Sequence, residues 1–341
     1  MPNILLNGHV SSQLKEILLK LLDSTWQICV WDSKINSVEE FYEYCLETDI
    51  LVGGSIPTPL MPNFKSLKLF QIPWAGYEFC TPETVPKGIP VCNCYEHETA
   101  IAEYVLSGML EFQVGLSDMN KRFKKKGWDF KRPGTFIFHA ELRGKKLGIL
   151  GYGRIGQEVA RRAKAFDMEV IGIKRKLDVN LLYLDEVISN KNFQRVLPEL
   201  DFLLVACDLN QETLGIINKN SFEVMKSDAV IINVGRGKII KEKDLFEALK
   251  DKKIRGAVLD VWYNYVDENN ANPKPSIYPF HLLSNVIMTG HESAGVKEMF
   301  ERRANFIFNN IQAIMRNENP QNLLFHGESE TGTKLKTQKD I

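Results

Sequence analysis

The sequence predicts an α/β fold built on parallel sheets. Three observations carry this prediction. Short apolar runs alternate with amphipathic stretches along most of the chain, one strand–helix junction is a glycine turn, and 341 residues suffice for two domains of ordinary size. Residues 4–6, 28–30, 50–52 and 69–72 read as buried strands, with helices at 14–22 and 38–46 between them. One long helix is predicted from Glu98 to about Arg122, because Ile101, Val105, Leu106, Met109 and Phe112 mark an apolar helical face. Residues 127–144 read as irregular, with Pro133 and Gly134 in their middle. A second series then begins. Its strands are expected at 147–150, 170–173, 202–205, 230–232, 257–259 and 286–288, and its helices at 154–165, 244–249 and 296–315. Residues 327–341 predict a flexible tail, polar and without periodicity to 340.

The charge balance narrows what the chain binds. Lys plus Arg number 43 and Asp plus Glu number 43, so no global field favours nucleic acid or an anionic membrane. The basic run Lys121-Arg122-Phe123-Lys124-Lys125-Lys126 falls at the end of a predicted helix, where cations suit the helix dipole, and reads as a solvated helix end. No apolar run approaches the roughly 20 residues of a membrane helix. The N-terminal residues 1–8 read as a first strand and not as a signal peptide. Of six cysteines only Cys92 and Cys94 are close, and their spacing is neither a redox nor a zinc pattern. Reduced cysteines, no metal and a cytoplasmic location are expected.

The glycine turn is Gly151-Tyr152-Gly153-Arg154-Ile155-Gly156, with a predicted strand before it and a predicted helix after it. In that context each glycine has a physical task. Gly151 permits the tight turn, Gly153 lets a pyrophosphate approach the backbone, and Gly156 lets the helix pack on the strand. The helix N-terminus offers free N–H groups and partial positive charge to the anion. A Rossmann-type dinucleotide site is therefore expected. The next strand ends in Lys174-Arg175-Lys176, where an NAD enzyme usually carries an acid. Cations there would attract a 2′-phosphate, so NADP is the expected cofactor and NAD the alternative.

Three later motifs each follow a predicted strand: Ile231-Ile232-Asn233-Val234-Gly235-Arg236-Gly237, Gly256-Ala257-Val258-Leu259-Asp260-Val261 and Thr289-Gly290-His291. In an open α/β sheet, ligands bind at those carboxyl ends, so one Arg, one Asp and one His can converge. With these motifs, with Glu141-Leu142-Arg143-Gly144-Lys145 before the glycine turn and with Met225-Lys226, the sequence resembles the D-2-hydroxyacid dehydrogenase family from about Lys68 to His291. The resemblance implies two doubly wound parallel-sheet domains, the Rossmann-type one inserted in a discontinuous substrate domain, with the nicotinamide held between them. The expected boundaries are 1–98 plus 292–326 for the substrate domain and 99–291 for the dinucleotide domain. It implies hydride transfer between NAD(P)H and a small 2-keto or 2-hydroxy acid, and a homodimer with no nucleic-acid or membrane partner. By the same resemblance Arg236 binds the substrate carboxylate and polarises the keto oxygen, and His291 is the general acid–base. Asp260 bonds the nicotinamide carboxamide, the Ala75-Gly76-Tyr77 backbone holds the substrate carboxylate, and Thr213 and Asn233-Val234-Gly235 line the cofactor.

One departure stands out. The family places a Glu five residues after Asp260, beside the catalytic histidine, and here that position is Tyr265. A carboxylate favours the imidazolium and a phenol does not, although a phenol can still orient the ring. Asp267, Glu268, Glu96 or Glu98 could take over the charge. The departure leaves room for two alternatives, a dehydrogenase of another small anion (formate- or phosphite-like) and a dinucleotide-sensing binding protein of the corepressor type. Trp262-Tyr263-Asn264-Tyr265 and Trp74 are expected to line the substrate, and they suggest one bulkier than glyoxylate. His97 is the remaining histidine of interest, because it begins the helix between the domains.

Overall fold

The computed structural model describes residues 1–77, 79–128, 138–175, 182–266 and 272–335. Pro133, Gly134, Lys176, Asp267, Glu268 and residues 336–341 lie outside the described residues. Along the chain come β1 (Asn3–Asn7), α1 (His9–Ser12), α2 (Lys15–Leu21), β2 (Gln27–Trp31), α3 (Val38–Glu47), β3 (Ile50–Gly53), β4 (Leu69–Gln71) and β5 (Pro90–Cys92). Two helices follow, α4 (Glu98–Val114) and α5 (Leu116–Lys126). The second series is β6 (Lys146–Leu150), α6 (Arg154–Ala165), β7 (Glu169–Lys174), β8 (Glu186–Ser189), β9 (Phe202–Val205), α7 (Lys219–Val224), β10 (Val230–Asn233), α8 (Glu242–Lys250), β11 (Gly256–Leu259) and β12 (Val286–Met288). The described chain closes with α9 (Lys297–Met315) and β13 (Leu323–His326).

These elements form two compact units, one of Met1–His97 with Val296–Ile341 and one of Glu98–Gly295. In the first, the sheet order is β13-β5-β4-β3-β1-β2, all parallel except β13, which runs antiparallel to β5. In the second, the order is β12-β11-β10-β9-β6-β7-β8, parallel throughout. Its strand order reverses between β6 and β9, which places a ligand crevice at their carboxyl ends. Alternate residues of its strands bury on opposite faces. Leu203, Val205, Ile231 and Leu259 enter one core, and Leu147, Ile149, Leu204 and Ile232 the other. Each such side chain contributes about 1.5–3 kcal/mol on burial, so the sheet is a rigid base for its loops.

Two expectations are corrected. The single long helix is two, because Gly115 takes the left-handed conformation (φ 69°) and ends α4. None of the residues of α5 is buried, and its last turn carries Lys124, Lys125 and Lys126. The flexible tail is not loose over residues 327–335. Leu335 and Ser329 are buried, Leu60 bridges Lys334, and the Leu335 N–H donates to the Pro59 carbonyl. A polar strip without periodicity can still be held by backbone pairing, which composition does not reveal. Strands β5 and β8 and helix α7 are short elements whose apolar pattern did not announce them.

Candidate active site

The glycine turn opens the second unit's crevice. Gly151 has φ 103°, and a Cβ there would lie 2.5 Å from the Cys207 backbone nitrogen. A Cβ on Gly156 would lie 2.5 Å from the Gly151 carbonyl oxygen and 3.0 Å from an Ile149 methyl. Both glycines are thus required by the fold itself. Gly153 is different: a Cβ there meets nothing within 4 Å among the described residues. The open space before the N-terminus of α6, uncapped by any side chain, fits a bound pyrophosphate. Arg154 lies 4.0 Å from Glu98, Ile155 packs on the core, and Tyr152 is buried with its hydroxyl donating to the Leu182 carbonyl. Lys174 ends β7 half-buried and Arg175 is exposed beyond it.

Beyond β10, the Asn233 side chain shapes the turn that carries Arg236. Its amide donates to the Arg236 carbonyl at 3.1 Å, and its oxygen accepts from the Gly235 N–H at 3.1 Å. Val234 is buried, and a Cβ on Gly235 would lie 2.9 Å from the Cys207 carbonyl oxygen. The Arg236 guanidinium, half-buried, donates to the Gly235 carbonyl at 2.9 Å. Thr213 is buried, and its hydroxyl donates to the Asp208 carbonyl at 2.7 Å while accepting from the Asn210 N–H. That hydroxyl shapes its own loop and has no proton left for a ligand.

The strand ends of β11 and β12 meet at His291. Asp260 is fully buried. Its Oδ1 accepts from Thr289 Oγ1 at 2.6 Å and from the Glu292 N–H at 2.8 Å, and its Oδ2 accepts from the Ser293 N–H at 3.0 Å. Burial alone would raise its pKa, but these hydrogen bonds, with one from the Ser293 hydroxyl, outweigh it and hold the carboxyl below its ordinary value. His291 sits within this loop at φ 63°, a left-handed conformation uncommon for any residue other than glycine. It keeps solvent contact. Partial burial lowers its pKa most, the Arg236 charge lowers it further, and the Asp260 carboxylate opposes both.

Tyr265 lies against His291, ring centroids 5.6 Å apart and planes inclined by 59°. Its hydroxyl does not orient the imidazole through a hydrogen bond; it accepts from the Trp262 N–H at 3.1 Å. Burial raises the phenol's pKa, so it stays neutral. The expected aromatic wall is mostly core: Trp262 is buried against Phe280, with its indole N–H on the Thr289 carbonyl at 2.8 Å, and burial raises the Tyr263 phenol's pKa far above its usual range. Of that stretch, Tyr265 keeps substantial exposure. Thr289, which its motif named without a role, and Tyr104, which no motif marked, are drawn in by hydrogen bonding, Tyr104 Oη lying 2.7 Å from Thr289 Oγ1.

The first unit holds the Ala75-Gly76-Tyr77 loop beyond β4. The Ala75 carbonyl accepts from the Asn93 amide at 2.8 Å, and Tyr77 is exposed. Trp74 packs beside Phe79. His97 is buried, stacked on Tyr95 and 3.4 Å from Arg303 on α9, a structural setting within this unit.

Residues 106–293 match the family described as D-isomer specific 2-hydroxyacid dehydrogenase, NAD binding domain. The chain belongs to that family. This D-2-hydroxyacid dehydrogenase is 29% identical over 325 residues to a glyoxylate reductase of Pyrococcus furiosus, covering 92% of this chain and 94% of that one. It is 30% identical over 320 residues to a D-3-phosphoglycerate dehydrogenase of Methanocaldococcus jannaschii, covering 92% of this chain and spanning 58% of that protein's length. A solved D-isomer specific 2-hydroxyacid dehydrogenase family protein from Aeromonas salmonicida shares its fold with a TM-score of 0.79 at 24% identity, covering 95% of this chain and 99% of that one. The reaction class of the dehydrogenase is NAD(P)-dependent hydride transfer on small 2-keto or 2-hydroxy acids. Among the described residues no cluster of three or more His, Cys, Asp or Glu side chains could hold a metal, and no helix is long and apolar enough to cross a membrane.

Proposed function

We propose that the chain reduces 2-keto acids with Arg236 and His291 as its catalytic pair and NADPH as its preferred cofactor. The observation that carries this reading is local to one sheet edge. Loops leaving the neighbouring strands β10, β11 and β12 carry Arg236, Asp260 and His291 in turn, and the Asp260 carboxylate accepts hydrogen bonds from residues on both sides of His291. Gly151, Gly153, Arg154, Ile155, Gly156, Asn233, Val234 and Gly235 would hold a nicotinamide cofactor, with Lys174 and Arg175 at its 2′-phosphate, and the bound cofactor would supply the hydride for the keto carbon. Arg236 binds the substrate carboxylate and polarises the keto oxygen, since a guanidinium presents paired donors and keeps its charge. The His291 imidazolium gives a proton to that oxygen, and in the reverse direction the neutral ring takes one from the hydroxyl.

Tyr265 supports His291 through ring contact, where the family's Glu would supply charge, and Asp260 is the carboxylate that favours the imidazolium. Asp260 also anchors the His291 loop, through the groups on both sides of the histidine that donate to it. Six free cysteines are consistent with a cytoplasmic enzyme. Exposed Leu116 and Phe123 on α5, with Trp128 beside it, support a second copy of the chain as partner. Light scattering of the purified protein should give the dimer mass, and a monomer at micromolar concentration removes that part of the reading.

The function is tested by NADPH and NADH oxidation against 2-keto acids of increasing side-chain size. Turnover of at least one acid, with higher kcat/KM for NADPH, is expected. Equal or better efficiency with NADH refutes the cofactor preference, and cofactor binding without turnover of any acid favours a sensing protein.

A further inference from the structure

The His291 loop is wrapped around one carboxylate. The groups donating to Asp260 belong to Thr289, Glu292 and Ser293, and so bracket His291 on both sides. Thr289 is also fixed at its backbone. Its N–H donates to the Leu259 carbonyl at 3.0 Å, and its carbonyl accepts the Trp262 indole N–H at 2.8 Å.

The direction of the side-chain bonds follows from chemistry. An ionised carboxylate can only accept, so at 2.6 Å the Thr289 hydroxyl must donate to Asp260. Its single proton is then committed, and at 2.7 Å the Tyr104 hydroxyl must donate to the Thr289 oxygen. The result is an ordered chain, Tyr104 O–H to Thr289 O–H to Asp260, whose bonds polarise one another. Tyr104 stands on α4, in the middle of a helix that packs on the sheet through Gly108, where a Cβ would lie 2.9 Å from Val258. The chain therefore ties the His291 loop to the rigid body of the second unit.

We propose that Tyr104 and Thr289 are positioning residues for His291, holding its loop in the left-handed turn through Asp260. The proposal rests on the catalytic reading of His291. It goes beyond the sequence motifs, because neither residue carries reaction chemistry of its own.

The test compares Thr289→Val, Thr289→Ser, Tyr104→Phe, the double variant Tyr104→Phe/Thr289→Val and, alongside them, His291→Ala. The readouts are kcat and KM for a turned-over 2-keto acid, and NADPH dissociation by fluorescence titration. Misplacing a catalytic group by about 1 Å can cost on the order of a hundredfold. Thr289→Val should thus lose roughly that much kcat, with NADPH affinity unchanged, and Thr289→Ser should restore it. Tyr104→Phe, which keeps the threonine–carboxylate bond, should lose less. The double variant should fall no further than Thr289→Val alone, since both act through one chain. Wild-type kcat in Thr289→Val, failure of serine to rescue, or loss of NADPH affinity in step with kcat overturns the proposal. If Thr289→Val does not fold, Tyr104→Phe decides: an unchanged kcat overturns the proposal, and a reduced kcat at constant NADPH affinity sustains it. An inactive His291→Ala beside a fully active Thr289→Val sinks the positioning role alone, whereas a fully active His291→Ala sinks the catalytic reading and the positioning role with it.

Discussion

The glycine turn and the His291 loop both leave parallel strands of the second unit, and both contain a residue with positive φ. Gly151 sits at 103° and His291 at 63°. They hold that conformation by opposite means. At Gly151 the chain removes the Cβ that would strike Cys207, so the geometry is free of strain. At His291 a functional side chain must stay, and such a conformation costs about 1–3 kcal/mol. The buried Asp260 carboxylate offsets it with hydrogen bonds from both sides of the histidine. The cofactor end of the site is made by composition, and the proton-transfer end by a hydrogen-bonded network.

This comparison can be broken from either end. Gly151→Ala adds both φ strain and a Cβ 2.5 Å from backbone, and is expected to abolish NADPH binding and lower Tm. Thermal melting with and without NADPH checks this, and a wild-type cofactor-induced Tm shift would show that the turn tolerates a side chain. Asp260→Asn should do the reverse. It turns an acceptor-only group into one that presents N–H to a ring of donors, so kcat should fall by on the order of a hundredfold while NADPH affinity persists. If affinity falls instead, Asp260 serves the cofactor.

Smaller effects sharpen the picture. Replacing Lys174 and Arg175 by Ser removes charge-assisted contacts worth about 1.5–3 kcal/mol each, so kcat/KM for NADPH should drop at least tenfold and that for NADH should change little. Equal losses with both cofactors would argue for a structural role. Tyr265→Glu should place a carboxylate beside His291. The His291 pKa is now held down by burial and by Arg236, and a carboxylate favours the imidazolium, so its pKa should rise. Reduction needs the protonated ring, so its loss with rising pH should move to higher pH, by roughly one unit. A pH–rate profile of keto-acid reduction that does not move would show that Tyr265 does not govern the proton.

The same contrast explains what was legible in the sequence. The parallel sheets were readable because their strands are buried on both faces, leaving runs such as Phe202–Val205. The glycine turn was readable because a missing side chain is a visible letter. The placement of Arg236 and His291 just beyond β10 and β12 was readable through motifs that follow strands. Tyr104 and Thr289 were not, because a hydroxyl's role depends on a partner 185 residues away. Trp262 looked like lining and is a core residue, and the Thr213 hydroxyl braces its own loop, since a motif specifies which residue is present and not which way its polar atoms are spent. The break at Gly115 was hidden because apolar spacing continues to Phe112, three residues before it.

His291 moves the proton and does not hold the cofactor in the proposed mechanism. Steady-state NADPH oxidation by a turned-over 2-keto acid, measured for the wild type and for His291→Ala beside NADPH titration, tests it most directly. His291→Ala is expected to lose about 10²–10⁴-fold in kcat with the NADPH dissociation constant unchanged. Retention of the wild-type rate, or a loss explained entirely by weaker NADPH binding, would contradict it.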